Sequence, residues 1–296
     1  MARAALIGAN GQLGSDIVRL WAGSAAAAKG DELVALTHAD LDITDYDTVR
    51  SVLIGMEPHL VINTSAYHRV DDCEENALQA LQVNALAVQN LAEVCRDIGA
   101  TVMHFSTDYV FSGRKGAPYR EYDGTDPISA YGISKAAGEH FLRYILPEDH
   151  ILIRSSGLFG VAGASGKGGN FVETMIRLAR EGKPIRVVDD QIATPTFTLD
   201  LAATLLDVIA KGGRGTFHIT NAGQCSWHEF AGEIFRQVGL TPTLEAISSE
   251  DYSAKALRPA YSVLENSRLA EVGLKQPRPW REALAAYLRL KGRIPA

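Results

Sequence analysis

Two side chains that could act together in proton transfer, Tyr131 and Lys135, lie four residues apart in the sequence. A spacing of four is about one turn of an α-helix, so a helix here would place the phenol and the ammonium on one face. An adjacent ammonium stabilises a phenolate and lowers the pKa of a tyrosine from about 10 towards neutrality. The pair is a candidate general acid or base, and an ordinary exposed helical pair is the alternative.

Nearer the N-terminus the chain reads Gly8-Ala9-Asn10-Gly11-Gln12-Leu13-Gly14, between an apolar segment and a helix-like one. This is the context of a dinucleotide-binding turn. Gly8 allows the tight turn, Gly11 the close approach of a pyrophosphate, and Gly14 the close packing of helix on sheet. The pyrophosphate would rest on the N-terminus of the helix, whose free N–H groups and dipole favour an anion. A tight turn without a ligand is the alternative.

The end of the second predicted strand, Leu36-Thr37-His38, carries no acidic residue and no arginine. An acidic residue there binds the ribose 2′-hydroxyl of NAD, and its absence tolerates the 2′-phosphate of NADP. The segment therefore permits NADPH without excluding NADH. Asp42 and Ile43 could contact the adenine, and a turn or helix cap is the alternative role for Asp42.

Polar residues also follow a predicted strand at Ser106-Thr107-Asp108. A hydroxyl at the carboxyl end of a parallel strand can hydrogen-bond a substrate oxygen that gains negative charge. Taken alone, these residues could simply begin a loop. Together with the glycine turn they predict hydride transfer coupled to proton transfer, with Thr107, Tyr131 and Lys135 as the catalytic group.

The elements that must position these residues alternate along the first half of the chain. Strands are predicted at 4–7, 33–36, 60–63, 102–106 and 151–154, and helices at 12–21, 46–53, 76–98 and 129–145. We expect Thr44 to cap the second helix, and Leu78 to share a buried face of the third. Such alternation predicts a parallel sheet with right-handed crossovers, and the continuous apolar strands imply helices on both faces.

After about residue 155 this rhythm loosens. We predict helices at 171–181, 199–209, 226–238 and 280–290, the first turn of the third being a capping box of Ser226 and Glu229. A strand is predicted at 216–219, loops at 157–170 and 189–195, and irregular structure at 241–280. The run Gly163-Ala164-Ser165-Gly166-Lys167-Gly168-Gly169 lacks the spacing of a phosphate loop and is expected to be a substrate-side loop.

These elements predict an α/β fold, a Rossmann-like doubly wound parallel sheet with a smaller α/β C-terminal substrate-binding domain. Residues 1–155 would form the dinucleotide-binding domain, to which 194–220 return. Residues 156–193 and 221–296 would form the substrate-binding domain.

Composition narrows the function further. The chain has 296 residues, a net charge of −6 and 46% apolar residues, which excludes a basic nucleic-acid footprint and a disordered chain. No apolar run is long enough to span a membrane. The three cysteines, Cys73, Cys95 and Cys225, fit neither a disulfide framework nor a zinc site. We expect reduced thiols, a cytoplasmic protein and no catalytic metal.

With these residues in place, the chain resembles the extended short-chain dehydrogenase/reductase superfamily and, within it, the dTDP-4-dehydrorhamnose reductases. The superfamily resemblance rests on the glycine turn and on Tyr131-Gly132-x-x-Lys135. The reductase branch is indicated by Ser106-Thr107-Asp108-Tyr109-Val110-Phe111 and by Asp190-Gln191 with Pro195-Thr196. Further matches are Asn63-Thr64-Ser65-Ala66-Tyr67, Val70-Asp71, Asn84, Gly138-Glu139 and Arg258-Pro259 with Ser262.

The resemblance implies reduction of dTDP-4-dehydro-6-deoxy-L-mannose to dTDP-L-rhamnose, by hydride transfer from NADPH or NADH to C4. It implies that Thr107 binds near the sugar O4, that Tyr131 donates the proton and that Lys135 assists it and binds the nicotinamide ribose. Further implied cofactor contacts come from Ser65, Ala66, Tyr67 and Asn84. Implied substrate contacts come from Val70, Thr107, Asp108, Tyr109, Gly157, Asn170, Gln191 and Arg258. A nucleotide-sugar substrate is implied, with no nucleic acid or membrane partner, and a homodimer is allowed.

One departure concerns Gly157, which stands where many members of the family have a tryptophan that packs on the sugar. A wider pocket, or cover by another aromatic such as Phe159, would follow. Another enzyme of the superfamily, a nucleotide-sugar reductase, epimerase or dehydratase, is an alternative, although Asp108-Tyr109 after Thr107 argues against a dehydratase. A non-catalytic regulator resembling the regulatory subunit of methionine adenosyltransferase is the other alternative.

Overall fold

The apolar runs of the first half form strands of one parallel sheet in the computed structural model, which describes residues 2–163 and 169–295. The strands are β1 Arg3–Ile7, β2 Glu32–Leu36, β3 Leu60–Asn63, β4 Thr101–Thr107, β5 His150–Ser155, β6 Leu158–Phe159, β7 Ile185–Val188, β8 Ile192–Ala193, β9 Thr196–Phe197, β10 Gly215–His218, β11 Cys225–Ser226 and β12 Leu244–Ile247. The helices are α1 Gln12–Trp21, α2 Ala25–Ala28, α3 Tyr46–Met56, α4 Val70–Glu75, α5 Ala77–Leu81, α6 Ala87–Ile98, α7 Ala130–Ile145, α8 Phe171–Arg180, α9 Thr198–Ala210, α10 Trp227–Val238, α11 Ser249–Tyr252, α12 Ser267–Glu271 and α13 Trp280–Leu290.

The large sheet has six strands in the order β10-β5-β4-β3-β1-β2, and every neighbouring pair is parallel. From β1 the chain goes outward to β2 and then returns to the other side of β1 for β3. Ligands of open parallel sheets bind at the carboxyl ends of the strands beside such a reversal. The predicted fold class, a doubly wound Rossmann-like sheet, is confirmed.

Alternate residues of β1 enter two different core layers, as the pleat of a strand requires. Ala4 and Leu6 pack with residues of α1 and α9, including Ile17 and Leu201. Ala5 and Ile7 pack on the opposite face with residues of α3 and α6. Helices therefore cover both faces of the sheet, which explains why its strands are apolar throughout.

The second half of the chain contributes to the large sheet and also forms a separate apolar cluster. The strand β10 pairs with β5, and α9 packs on α1. The separate cluster is aromatic and includes Phe159, Phe197, Phe230, Trp280 and Tyr287. The capping box at the start of α10 is confirmed, because Glu229 N–H donates to Ser226 Oγ (3.0 Å) and Ser226 N–H donates to Glu229 Oε2 (2.9 Å). The domain boundaries near 155, 194 and 220 stay a prediction.

The long predicted helix at 76–98 is interrupted. A π-helical turn over Gln82–Leu86 separates α5 from α6. Such a turn is wider than an α-helical one and rotates the residues before it relative to those after it. Leu78, predicted on the buried face with Val88 and Leu91, is consequently 84% exposed, while Val88 and Leu91 are fully buried.

Three smaller predictions are also corrected. Asp45, and not Thr44, caps α3, because its carboxylate accepts a hydrogen bond from Thr48 N–H (3.1 Å). The segment 241–280 contains β12, which pairs with β7, a strand that sequence analysis did not assign. The loops predicted at 157–170 and 189–195 contain the short strands β6 and β8. Residues 164–168 of the glycine-rich run lie outside the described residues.

No helix of the described ranges is long and apolar enough to cross a membrane. Within the same ranges, no group of three His, Cys, Asp or Glu side chains is placed to hold a metal ion.

Candidate active site

The glycine turn after β1 is folded so tightly that two of its glycines have no room for a side chain. Gly8 has a φ of +82°, and a Cβ there would lie 2.7 Å from Thr64 Oγ1. A Cβ on Gly14 would lie 2.3 Å from the carbonyl oxygen of Gly8. Gly11 is the N-cap of α1 and supplies no side-chain cap, so the first N–H groups of the helix receive no side-chain acceptor. The turn is therefore shaped as an anion-binding turn requires.

Neighbouring strands hold this turn in place. Thr64, which follows β3, donates from its hydroxyl to the carbonyl oxygens of Ile7 (2.8 Å) and Gly8 (3.1 Å). The N–H groups of Gly8 and Ala9 donate to the carbonyl oxygen of Leu36 at the end of β2 (2.9 and 3.0 Å). Thr64 had no role in the sequence-based site, and its only sequence signal is a hydroxyl directly after a buried strand.

Residues 36–38 carry no carboxylate, as expected, but that of Asp40 lies close to the end of β2. Asp40 accepts hydrogen bonds from Thr37 N–H (2.9 Å) and Thr37 Oγ1 (2.7 Å), which lower the pKa of its carboxyl group. Asp42 accepts from Thr44 N–H and its hydroxyl (2.9 and 2.7 Å), the turn that was its alternative role. Ile43 is buried.

The predicted cofactor residues after β3 are fixed to the helix that carries Tyr131. Asn84 accepts from Tyr67 N–H (2.9 Å), and its amide nitrogen donates to Tyr67 C=O (2.9 Å) and to Ser134 Oγ (3.0 Å). The π-helical turn that contains Asn84 packs closely on α7, since a Cβ on Gly138 would lie 2.2 Å from Asn84 C=O. The segment with Ser65 and Ala66 thus lies between the glycine turn and the catalytic helix.

Tyr131 lies in the first turn of α7, and its phenol is within interaction range of the Thr107 side chain at the end of β4. The hydroxyl of Thr107 donates to Asp108 Oδ1 (3.0 Å) and accepts from Tyr109 N–H (3.2 Å). The other carboxylate oxygen of Asp108 accepts from Ser156 Oγ (3.0 Å) and Ser262 Oγ (2.5 Å). Burial raises the pKa of Asp108, and these three hydroxyl donors oppose that rise.

The electrostatics of Tyr131 and Lys135 differ from the expectation based on their spacing. Burial raises the pKa of Tyr131, partly opposed by the nearby side chain of Thr107, so the phenol keeps its proton. Burial lowers the pKa of Lys135 to about 8, partly opposed by the charge of Glu139. Lys135 Nζ contacts His104 Nε2 (3.2 Å), and no charge of Lys135 is among the main influences on the phenol. A phenol that retains its proton is the form that a proton donor needs.

Among the predicted substrate residues, Arg258 forms a two-pronged ion pair with Asp71, at 3.2 Å from Nη1 and 2.8 Å from Nη2. The hydrogen bond with Arg258 lowers the pKa of Asp71. Tyr109 is within interaction range of this pair, and burial raises the pKa of its phenol. Val70 begins the same helix as Asp71. The pair joins α4 to the C-terminal segment beside Tyr109.

Gly157 has a φ of +56°, and a Cβ there would lie 2.9 Å from Thr194 C=O and 3.1 Å from Pro195 Cα. Backbone therefore occupies the place of a side chain, and the predicted wider pocket does not follow from glycine alone. Phe159 is 1% exposed and packs against Phe197 and Tyr287, so its ring is used in the core. The half-buried aromatic beside Gly157 is Trp227, which lines a small cavity with Gly157 and Pro195.

Two predicted substrate residues are engaged in the C-terminal scaffold. Asn170 caps α8, and its amide nitrogen donates to Gly160 C=O (2.9 Å) and Tyr287 Oη (3.0 Å). Gln191 is buried and donates to Ser249 Oγ (2.7 Å). By contrast, Thr107, Asp108, Tyr109 and Tyr131 share one cluster. Sequence analysis missed His104, whose signal was a histidine inside an apolar strand.

The chain is similar to known proteins over nearly its whole length. The family model described as "RmlD substrate binding domain" matches residues 2–291. A dTDP-4-keto-6-deoxy-D-glucose reductase of Streptomyces niveus is 38% identical over 278 residues, covering 94% of this chain and 93% of the relative.

Two solved structures are also similar over nearly their whole length. The dTDP-4-dehydrorhamnose reductase of Clostridium acetobutylicum has a TM-score of 0.91 at 38% identity, covering 98% of this chain and 99% of that one. The dTDP-4-dehydrorhamnose reductase of Bacillus anthracis, in complex with NADP, has a TM-score of 0.89 at 35% identity, covering 97% and 99%. The chain therefore belongs to the dTDP-4-dehydrorhamnose reductase family of oxidoreductases, within the extended short-chain dehydrogenase/reductase superfamily.

Proposed function

We propose that this protein reduces the 4-keto group of a dTDP-linked 4-keto-6-deoxy sugar, converting dTDP-4-dehydro-6-deoxy-L-mannose to dTDP-L-rhamnose. Hydride would come from NADPH or NADH, and Tyr131 would give the proton to the new hydroxyl oxygen. The observation that carries the proposal is the cluster of Thr107, Asp108 and Tyr131 at the carboxyl edge of the sheet, two strands from a turn shaped for a pyrophosphate.

The residues of the turn fit a dinucleotide on structural grounds. The absence of space for a Cβ on Gly8 and Gly14, and the lack of a side-chain cap at Gly11, leave backbone N–H groups facing outward from α1. Gln12 has a buried Oε1 without a partner in the described structure. We assign Gly8, Gly11 and Gln12 to the pyrophosphate, and the segment 65–67 to the nicotinamide half. The reduced dinucleotide supplies the hydride when it is bound.

Tyr131 is suited to proton donation because its phenol is buried and its raised pKa keeps it protonated. Thr107 positions the phenol, and Asp108 in turn orients the Thr107 hydroxyl through a hydrogen bond of 3.0 Å. A buried lysine with a pKa of about 8 can exchange protons near neutral pH, so Lys135 is assigned the return of a proton to Tyr131. Asp71 and Arg258 lie beside Tyr109, where Arg258 offers a planar donor pair to the diphosphate or the base of the substrate.

A steady-state assay tests the proposal directly. Purified protein is given dTDP-4-dehydro-6-deoxy-L-mannose with NADPH and, separately, with NADH, and the loss of absorbance at the nicotinamide band is followed. Turnover with formation of dTDP-L-rhamnose supports the proposal and ranks the two cofactors. Tight NADP binding without turnover of any 4-keto sugar would contradict it and would favour a regulatory role.

The sugar itself is tested by a second substrate. dTDP-4-keto-6-deoxy-D-glucose differs from the proposed substrate in the configuration of the ring carbons, and the Streptomyces niveus relative is named for its reduction. A kcat/KM at least about tenfold higher for the L-mannose compound would support the assignment. The reverse preference would support the 4-keto reduction but identify dTDP-4-keto-6-deoxy-D-glucose as the better substrate.

A further inference from the structure

A chain of buried hydrogen bonds leads from the cofactor segment after β3 to Lys135. Its members are Ser65, Asn63, His104 and Lys135. Asn63 and His104 are fully buried, and Lys135 is 1% exposed. The links are Ser65 N to Asn63 Oδ1 at 3.1 Å, Asn63 Nδ2 to His104 Nδ1 at 3.2 Å, and His104 Nε2 to Lys135 Nζ at 3.2 Å.

The direction of this chain is fixed at its first link. A backbone N–H can only donate, so the Asn63 atom that faces Ser65 N must be the amide oxygen. The Ser65 hydroxyl bonds the same oxygen at 2.5 Å. The amide nitrogen of Asn63, a donor only, then faces His104 Nδ1, which must be the unprotonated ring nitrogen. A charged imidazolium carries hydrogen on both nitrogens, so its Nδ1–H would face the amide N–H group of Asn63, donor against donor.

The same reasoning continues to the lysine. With Nδ1 unprotonated, the neutral ring of His104 carries its hydrogen on Nε2 and donates it towards Lys135 Nζ. An ammonium has three donors and no lone pair, so it would repel this N–H at 3.2 Å. A neutral amine has a lone pair that accepts it. We infer that His104 is a positioning residue that stabilises the neutral amine of Lys135 relative to its ammonium, through hydrogen bonds that begin at the amide of Ser65.

The relation between His104 and Lys135 depends on the proposed function only for its role in catalysis, the return of a proton from Lys135 to Tyr131. A lysine whose neutral form is stabilised gives up a proton more readily than an ordinary lysine, as return of a proton to Tyr131 requires. The direction agrees with the pKa of Lys135, which burial already lowers to about 8, and with the pKa of His104, which burial holds well below its usual value.

The titratable and charged groups that face Tyr131 and Lys135 are His104 from β4, Arg154 from β5, Cys73 from α4, Asp108 and Tyr109 from the turn after β4, and Glu139 on α7 itself. Glu139 favours the ammonium, but it is paired with Arg154 at 2.6 and 2.9 Å, which offsets its charge. His104 is the group in direct contact with Nζ.

The isosteric substitution Asn63→Asp should reverse the direction of the hydrogen bonds that join residue 63, His104 and Lys135. One carboxylate oxygen would still accept from Ser65 N–H, while the other would accept from His104 Nδ1–H. The ring would then present an unprotonated Nε2 to Lys135, which could accept from the ammonium. We expect the pKa of Lys135 to rise by about one unit or more. Asn266→Asp is the matched control, because Asn266 is also buried and its Oδ1 also accepts from a backbone N–H, that of Thr220 (3.1 Å).

Two spectroscopic measurements on the cofactor-free protein test the inference. The ¹⁵N shifts of His104, assigned by loss of its signals in His104→Gln, report its tautomer, and the ¹³Cε shift of Lys135 reports its titration. We expect Nε2–H from about pH 6.5 to 9, and a reversal to Nδ1–H in Asn63→Asp but not in Asn266→Asp. A native Nδ1–H tautomer or an imidazolium in that range would overturn the inference, as would an unchanged Lys135 titration in Asn63→Asp.

The native tautomer decides the question even where Asn63→Asp does not fold. Because neither signal requires substrate, these results separate from those of the reductase assay. If no keto sugar is turned over but His104 has the expected Nε2–H tautomer, the proposed function is wrong and the inferred relation between His104 and Lys135 is still supported. In an active enzyme, the alkaline limb of kcat/KM should move upward by about one pH unit in Asn63→Asp, because the ammonium persists to higher pH.

Discussion

The rings of Tyr109 and Tyr131 meet edge to face, with centroids 5.7 Å apart and planes inclined by 74°. The backbone beside them is equally close, since a Cβ on Gly132 would lie 2.3 Å from the carbonyl oxygen of Tyr109. The start of α7 is thus pressed onto the turn that follows β4. This packing restrains the ring of Tyr131 before any ligand binds.

Replacement of Tyr131 by Phe should remove the proton donor and keep the ring packing. We expect kcat to fall by about 10²- to 10⁴-fold, the usual contribution of a positioned general acid. The Kd for NADPH, measured by fluorescence titration, should stay within about threefold of the native value because the glycine turn is untouched. Tyr144→Phe on the same helix is the control, since Tyr144 is 85% exposed. Turnover of Tyr131→Phe near the native rate would refute the assigned role.

The strands of the first half of the chain and their parallel arrangement could be predicted from the sequence because each strand is a short apolar run next to an amphipathic helix. The glycine turn could also be predicted, since Gly8 is required by its positive φ and Gly14 by its contact with the Gly8 carbonyl oxygen. Features that depend on residues close together in the sequence can therefore be recognised from the sequence.

What could not be predicted depends on contacts between distant segments. The rotation of Leu78 out of the core follows from a π-helical turn that α7 packs against. The low pKa of Lys135 follows from its burial, and the residue in contact with its Nζ, His104, lies on β4, 31 residues away in the chain. The position of Thr194 against Gly157 likewise depends on a loop 37 residues further along. Spacing along one helix holds no information about such neighbours.

Gly14→Ala should weaken cofactor binding, because its new Cβ would meet the Gly8 carbonyl oxygen at 2.3 Å and push α1 away from the turn. Overpacking of this kind costs about 1–3 kcal/mol, which is about tenfold or more in the Kd for NADPH. Gly55→Ala in α3 is the control, because no atom lies within 4 Å of its Cβ. That variant should bind NADPH normally and unfold at slightly higher urea, since alanine favours helix. Equal affinities for the two variants would contradict the role of Gly14.

Arg258→Lys tests the proposed contact with the nucleotide sugar. Lysine keeps the charge but cannot form the planar pair of hydrogen bonds that Arg258 makes with Asp71. We expect KM for the sugar to rise by about tenfold, the equivalent of one charge-assisted hydrogen bond, with the Kd for NADPH unchanged. Arg236→Lys is the matched control, because Arg236 forms a similar two-pronged pair with Glu233 on the exposed surface of α10. A KM for the sugar that stays at the native value in Arg258→Lys would contradict the proposed contact between Arg258 and the substrate.

The buried histidines predict a loss of stability in mild acid. His218 donates from Nδ1 to Tyr119 C=O (3.1 Å), and its Nε2 lies 3.4 Å from Nη1 of Arg154, a donor that requires an unprotonated ring nitrogen. Burial and the charge of Arg154 lower the pKa of His218 to about 3. Its folded pKa is thus below its unfolded value of about 6.5. The stabilisation is complete above pH 6.5 and is lost as the pH falls from there towards 3.

In that window the unfolded chain binds a proton that the folded chain refuses, at up to about 1.4 kcal/mol per pH unit for each such histidine. Urea unfolding at several values between about pH 7.5 and 5 should show this fall in the free energy of unfolding. His218→Gln should reduce the slope by about one proton, whereas His140→Gln, at an exposed position of α7, should not change it. If both variants keep the native slope, His218 takes up a proton in the folded state, and its neutral pairing with Arg154 is wrong.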